Sequence, residues 1–219
     1  MGINLKNLMK ATDQNLRPIS DGTNRLLKDY IEATRNGLED SISTTSTQLK
    51  EDILAKVKQA LENLYANDVC LLKEGMNELT VSGRLAIYLH EKFSDFIKYF
   101  VDIEYYRLTI PKKDVNDLRK NRIRCDILLH SRGHYERKVD NLLAIEIKLE
   151  KSNDDGNYDK NRLAELVIPE TPNTPENAVH STLVGLYLRL GEDGYSDVQF
   201  SSQGYTPMNN DNHRDQAQQ

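Results

Sequence analysis

One apolar stretch, NLLAIEIKLE at residues 141–150, constrains the fold more than any other part of the chain. Its leucines and isoleucines are typical of a buried β-strand. Glu146 and Lys148 nevertheless stand in it two positions apart, and the alternation of a strand places both side chains on one face. Burying two charges is costly unless they meet partner charges, a metal ion or a substrate. We therefore expect this face of the strand to lie at a special site.

The composition fits one globular domain with an additional segment, because 219 residues can bury one sizeable core. The formal net charge of -5 excludes a surface that attracts nucleic acid everywhere, so such binding needs a local basic patch or metal ions. The two cysteines lack CxxC spacing and the five histidines do not cluster, so no structural zinc site is expected. No segment resembles a signal peptide or a membrane span, which predicts a cytoplasmic protein that does not enter a membrane.

The first part of the chain predicts helix. From about residue 26 to 65, apolar residues recur at helical intervals, and Ser46 or Thr47 is expected to cap a second helix if the segment divides. Residues 1–66 are therefore predicted to form a helical extension, with one long helix or two in tandem. This extension is either a layer packed on the domain or a coiled-coil arm for self-association or a protein partner.

Residues 67–200 predict a mixed α/β domain with the element order α-β-β-β-α-β. A helix is expected to begin near Asn77, with Glu78 in its first turn, and strands are expected within 99–110, 122–130 and 141–150. The last two strands form a predicted hairpin, and Asp159 is expected to cap a short helix after it. A strand follows at 180–191, and residues 201–219 are predicted to be a disordered tail.

The second and third predicted strands carry the candidate chemistry. Alternation puts Cys125, Ile127 and Leu129 on one face and Asp126 on the other, where the hairpin can bring Asp126 to Glu146 and Lys148. Two close carboxylates repel each other unless a divalent cation lies between them, and a site with few carboxylates and open positions suits Mg²⁺ or Mn²⁺. Lys148 can then stabilise a phosphate or orient an attacking water. The plainer alternative is a buried Lys148 that forms a salt bridge with Asp126 or Glu146.

The E-x-K spacing alone is weak evidence, because Glu136 and Lys138 repeat it in a polar turn. The copy at 146–148 differs in having an apolar strand around it, a strand aspartate upstream and a preceding helix with a glutamate. In this combination, residues of about 60 to 190 resemble the PD-(D/E)XK, or restriction-endonuclease-like, nuclease superfamily, in particular its small bacterial members of unassigned role. The matching segments, in chain order, are Glu78 in its helix, VDIEYYR, IRCDILLHSRG, NLLAIEIKLE and YDKNRL.

The resemblance implies a restriction-endonuclease-like core and a role for each motif residue. Asp126, Glu146 and the backbone carbonyl of Ile147 would bind the metal, Glu78 would contact it directly or through water, and Lys148 would serve the attacking water or the phosphate. The sequence departs from the family pattern at Cys125, where proline is usual, which puts the strand geometry in question. Dimerisation is also implied, because a double-strand break needs two active sites.

Contacts to nucleic acid are expected from basic residues around the second strand, although an ordinary solvated loop explains most of them equally well. Glu104, on the preceding strand, either joins the acidic cluster or pairs with Arg107 or Arg124. The candidate nucleic-acid contacts are Arg119, Lys120, Arg122, Arg124, His130 and Arg132.

Together these features predict a Mg²⁺- or Mn²⁺-dependent nuclease acting on DNA, in restriction, repair or defence against phage, with Glu78, Asp126, Glu146 and Lys148 as catalytic residues. RNA as the substrate stays open. A different class also stays open, namely an inactive nuclease-like module that binds or assembles through its N-terminal helices. The acidic net charge and the helical stripe favour that alternative.

Overall fold

The computed structural model describes residues 22, 24–108, 122–135, 137–168, 181–201 and 204–207. In these ranges the helices are α1 at 24–36, α2 at Glu39–Asp68, α3 at Cys70–Lys73, α4 at Glu78–Lys92 and α5 at Asn157–Leu166, with a short 3-10 helix at Arg137–Val139. The strands are β1 at Phe100–Leu108, β2 at Arg122–His130, β3 at Asn141–Leu149, β4 at Thr182–Gly191, β5 at Gly194–Ser201 and β6 at Gly204–Pro207.

Residues 24–68 form two helices, but they do not divide where the sequence predicted, and residues 1–21 of the predicted extension lie outside the described residues. The chain leaves α1 at Gly37, which has a φ of +66°, and α2 begins directly after Leu38. The expectation that Ser46 or Thr47 caps the second helix is wrong, because both lie inside α2. Their hydroxyls donate hydrogen bonds to the carbonyl of Ser43, so they fit a helix interior without ending it.

Helix α2 is a layer of the hydrophobic core. Leu49, Ile53 and Leu64 on α2 are fully buried and belong to the same apolar cluster as Leu85 on α4 and Ile145 on β3. Of the two interpretations of the helical stripe, the packed layer is therefore confirmed for α2. The core also contains residues on both sides of position 66, the predicted domain boundary.

The described strands form one mixed sheet with the spatial order β1-β2-β3-β4-β5-β6. Strands β3 and β4 are parallel and are joined through α5, whereas the other neighbouring pairs are antiparallel. Leu143, Ile145 and Ile147 of β3 face the core beneath α2 and α4, while Ala144 packs with Leu163 of α5 on the opposite face. The predicted mixed α/β class and the order α-β-β-β-α-β are confirmed from α4 to β4.

Strands β5 and β6 were not predicted. Ser201, assigned to a disordered tail, ends β5, and residues 204–207 form β6, whereas 208–219 lie outside the described residues. Within β5 only Val198 and Phe200 alternate as apolar residues, and both pack on the α5 side of the sheet, so the strand signal in the sequence is short. The position of β5 depends on backbone pairing with β4 along nearly its whole length. Among the described residues, no helix is long and apolar enough to cross a membrane.

Candidate functional site

The site begins where β2 and β3 separate. Their pairing reaches Ile127 opposite Ile145, and at the next position the Oδ2 of Asp126 accepts a hydrogen bond of 2.7 Å from the backbone N–H of Ile147. The carboxylate thus accepts a hydrogen bond that a backbone carbonyl of β2 would accept in a regular antiparallel pair. It lies beside Ile147, between Glu146 and Lys148 in the sequence. Because N–H and C=O of one strand residue point to the same side, the carbonyl of Ile147 also faces this gap.

Where β2 and β3 separate, the alternation of the β2 side chains between the two faces of the sheet is also interrupted. In the β1–β2 pairing, Ile103 lies opposite Ile127 and Tyr105 lies opposite Cys125. Between these pairs, Glu104, which has a φ of +47°, and Asp126 are left out of the pairing. The prediction that Cys125 shares the face of Ile127 is wrong, because Cys125 packs with Leu128 on the α5 side of the sheet, while Ile127 lies in the core under α2 and α4. The alternation therefore changes phase at Asp126, whose side chain turns into the gap between the strands.

Glu146 is buried beneath helix α5. Its side chain is 4% exposed and forms an ion pair with Arg162, which is itself 18% exposed. Burial raises the pKa of Glu146 to about 8, with a further contribution from the negative charge of Asp126, while Arg162 opposes the shift. Burial likewise raises the pKa of Asp126, although its hydrogen bond from Ile147 opposes that shift. The folded protein therefore disfavours the charged form of both carboxylates.

Lys148 forms a salt bridge, but not with the predicted partners. Its Nζ lies 3.3 Å from Glu78 Oε2 and 3.3 Å from Asp159 Oδ2, with Asp154 Oδ2 at 3.8 Å. Burial alone would lower the pKa of Lys148, but Asp159 and Glu78 outweigh it, so the pKa lies above its ordinary value. Lys148 is consequently a cation at neutral pH and cannot accept a proton there.

Asp159 links the two cations of the site. One of its oxygens contacts Lys148, and Oδ1 lies 3.0 Å from Arg162 Nη2. Charges therefore alternate along a chain of ion pairs from Glu78 through Lys148, Asp159 and Arg162 to Glu146. The expectation that Asp159 caps α5 is wrong, because the capping position is Gly156 and Asp159 lies, buried, in the first turn.

The loop before α5 is held in place by β4. Arg189 donates hydrogen bonds to the carbonyls of Asp154 at 3.0 Å and Ser152 at 2.8 Å. Gly156 has a φ of +69°, and a Cβ there would lie 2.0 Å from the hydroxyl oxygen of Tyr187. This close approach requires glycine. The sheet thereby fixes the start of α5 and, with it, Asp159 and Arg162.

These side chains line one cavity of about 740 Å³. Glu104 and Arg124 line it as well and form an ion pair of 3.4 Å, one of the alternatives predicted for Glu104. The four predicted catalytic residues come from α4, β2 and β3 and are joined there by two residues of α5. The convergent set is Glu78, Asp126, Glu146, Lys148, Asp159 and Arg162.

Sequence reasoning missed Asp159 and Arg162 as members of the site. A signal was available, because positions three apart on a helix share a face and this helix follows the E-x-K strand directly. A crossover helix packs back on the sheet, so its charged face meets the charged face of β3.

Two predicted nucleic-acid contacts lie elsewhere. His130 is fully buried and hydrogen-bonds to Asp102 at 2.8 Å, so the expectation that it contacts a phosphate is wrong. Arg132 binds the same carboxylate through Nε and Nη2 and lies outside the cavity lining. Arg119 and Lys120 fall outside the described residues, and for Arg122 only the backbone is described.

Neither sequence nor fold comparison assigns this site to a family. No protein-family model, curated protein or solved structure matches the chain. Within the described ranges, no group of three or more His, Cys, Asp or Glu side chains is arranged as it would be to hold a metal ion. In the arrangement observed, Arg162 contacts Glu146 and Lys148 lies between Glu78 and Asp159, so the positive groups of the protein itself contact these carboxylates.

Proposed function

We propose that this protein is a divalent-metal-dependent nuclease of the restriction-endonuclease-like, PD-(D/E)XK type, which hydrolyses phosphodiester bonds in DNA. The observation that carries the proposal is the convergence of Glu78, Asp126, Glu146 and Lys148, which come from separate elements, on one cavity. Two of these carboxylates, Asp126 and Glu146, have raised pKa values, because burial disfavours their charged forms and neighbouring carboxylates add to the shift.

The donor chemistry fits Mg²⁺ or Mn²⁺. Asp126, Glu146 and the Ile147 carbonyl offer only hard oxygen ligands, which these ions prefer, and Glu78 lines the same cavity. Asp126, Glu146, Glu78 and Asp159 carry four negative charges when ionised, and Lys148 and Arg162 carry two positive ones, which leaves a net charge of -2. A divalent cation would offset this excess of negative charge.

The protein's residues then divide the work. The metal ion would stabilise negative charge on the phosphate and lower the pKa of the attacking water. Lys148 stays protonated, so its role is to stabilise negative charge on the phosphate rather than to remove a proton from water. Asp126, held by the Ile147 N–H, and Glu146, held beneath α5, keep their oxygens in fixed positions.

The direct test incubates the protein with supercoiled plasmid and linear DNA in Mg²⁺ or Mn²⁺, with a chelator as the blank. We expect metal-dependent cleavage that Lys148→Ala reduces by about 10²–10³-fold, because a charge aimed at the phosphate is lost. Lys138→Ala is the matched control, since it removes the exposed lysine of the other E-x-K copy and should cleave like wild type. Equal background nicking by wild type and Lys148→Ala would refute the nuclease. A parallel RNA substrate decides between DNA and RNA.

A second candidate, an inactive nuclease-like binding module, is favoured by one observation. Arg162 and Lys148 already contact three carboxylates of the site, so the cluster is partly neutralised without a metal. Calorimetry with Mn²⁺ separates the two candidates. Binding that Asp126→Asn abolishes supports the enzyme, whereas the absence of binding by wild type supports the module.

A further inference from the structure

Resting on the proposed function, we propose that Arg162 is an internal counter-ion which a divalent cation must displace from Glu146, and that the displaced guanidinium then binds the substrate phosphate. Arg162 contacts the carboxylate that the metal needs, and it does so from a different element, α5. Because Arg162 Nη2 lies against Oε1 of the buried Glu146 carboxylate, a cation that binds this oxygen has to displace the guanidinium.

The contact that Arg162 makes is incomplete. Its Nη2 serves both Glu146 and Asp159, while its buried Nε has no hydrogen-bond partner among the described residues. A buried guanidinium nitrogen without a partner is costly, and Arg offers five N–H donors in a fork that fits phosphate oxygens. The side chain is thus only partly satisfied where it lies, which favours its use by a further anion.

Besides Glu146, Arg162 has a second anionic partner within the site. Asp159 provides a second anchor 3.0 Å from Nη2, and the ring of Tyr158, which is 72% exposed, lies 5.4 Å from the guanidinium carbon. Asp159 is held in turn by Lys148 at 3.3 Å. Once a cation takes over Glu146, Arg162 can remain on Asp159 and turn toward the cavity, which it already lines.

The test measures Mn²⁺ affinity by calorimetry for wild type, Arg162→Gln and Arg162→Lys. We expect Arg162→Gln to bind Mn²⁺ roughly tenfold more tightly, because a competing positive charge is removed a few ångströms from the ligand. Arg162→Lys keeps the charge and should stay within about threefold of wild type. Arg84→Gln is the matched control, since it removes an arginine from a surface ion pair with Asp68 outside the cavity.

Cleavage and affinity should change in opposite directions. Arg162→Gln is expected to bind the metal more tightly and yet to cleave DNA less well, with a raised KM, because the phosphate loses its guanidinium. A purely structural role for Arg162 would lower both together. Equal or weaker Mn²⁺ binding by folded Arg162→Gln would overturn the inference while leaving a metal-dependent nuclease intact, whereas the absence of Mn²⁺ binding by every variant would overturn both.

If Arg162→Gln fails to fold, wild type still provides the test. The Nε–H resonance of Arg162, assigned by its loss in Arg162→Lys, is followed by NMR during titration with diamagnetic Mg²⁺. Displacement from Glu146 predicts a shift that saturates with metal binding. A resonance that stays unchanged while Mg²⁺ binds would contradict the exchange.

Discussion

Two ionic networks involve strand β2, one at its C-terminal end and one at its middle, and they differ in how their charges balance. At its C-terminal end, Asp102 receives hydrogen bonds from Arg132 and contacts His130 at 2.8 Å. The bonds from Arg132 lower the pKa of Asp102 below its ordinary value, despite partial burial. The anion is therefore more stable in the folded protein than in water.

At its middle, the same strand presents the opposite situation. Burial raises the pKa of Asp126, and that of Glu146 rises to about 8, even though Lys148 and Arg162 lie in the same cluster. The carboxylates outnumber the cations there, whereas Asp102 is a single acid with an arginine of its own. The Asp102 network thus stabilises its anion, whereas burial places the Asp126 network in a costly state, and the proposed cation would relieve that cost.

The largest expected effect concerns the loop that holds α5 over the acidic cluster. Gly156→Ala should lower the free energy of unfolding by about 3 kcal/mol, because a left-handed φ is strained for alanine and the new Cβ would meet the Tyr187 ring. Gly75→Ala is the matched control, since Gly75 has the same φ of +69° with nothing within 4 Å of its Cβ position. It should cost only about 1 kcal/mol, from backbone strain alone.

Chemical denaturation with a chelator present measures both alanine variants. If both variants lowered the free energy of unfolding equally, the close contact with Tyr187 would not be what fixes the start of α5. The positions of Asp159 and Arg162 in the Asp126 network would then not depend on that contact.

Features that rest on interactions between residues close in the sequence, or on the pattern of one strand, could be predicted from the sequence. Asn77 caps α4 through its side chain, which accepts a hydrogen bond of 2.8 Å from Thr80 N, and this local signal was readable. The β2–β3 hairpin and the meeting of Asp126 with Glu146 and Lys148 were also readable, because charged residues in an apolar strand restrict each other's position.

Features that depend on packing between residues far apart in the sequence could not be predicted. Asp159 looked like a helix cap, and only the return of α5 onto the sheet gives it Lys148 as a partner. His130 looked exposed at a strand end, but Asp102 on the neighbouring strand allows its burial. The change of phase at Asp126 needs the gap between two strands, which no alternation pattern within one strand records.

The second expected effect tests the Asp102 network. Asp102→Asn should lower the free energy of unfolding at pH 7 by about 2 kcal/mol, because the buried His130 and the half-exposed Arg132 both lose a charged acceptor. Glu104→Gln is the control, since it breaks the half-exposed pair with Arg124 and should cost less than about 0.5 kcal/mol.

The effect of Asp102→Asn should also depend on pH. The folded-state pKa of Asp102 lies below its ordinary 3.8, so its charge contributes fully above that value and the contribution is lost as the pH falls through the folded pKa. The stability difference between wild type and Asp102→Asn should therefore narrow below about pH 4. A difference that stays constant to lower pH would show that the charge of Asp102 is not what stabilises this end of the strand.

The smallest expected effect is the most informative about the Asp126 network. Asp126→Asn should leave the free energy of unfolding of the metal-free protein at pH 7 unchanged, or raise it by up to about 1 kcal/mol, because the folded state disfavours the anion. Asparagine keeps an oxygen that can accept the Ile147 N–H bond, and it removes repulsion from Glu78 and Asp159. Denaturation in chelator measures the stability, with Asp102→Asn as the contrasting variant. A loss as large as that of Asp102→Asn would mean that both networks serve the fold alike, and the costly state attributed to the Asp126 network would no longer point to a ligand.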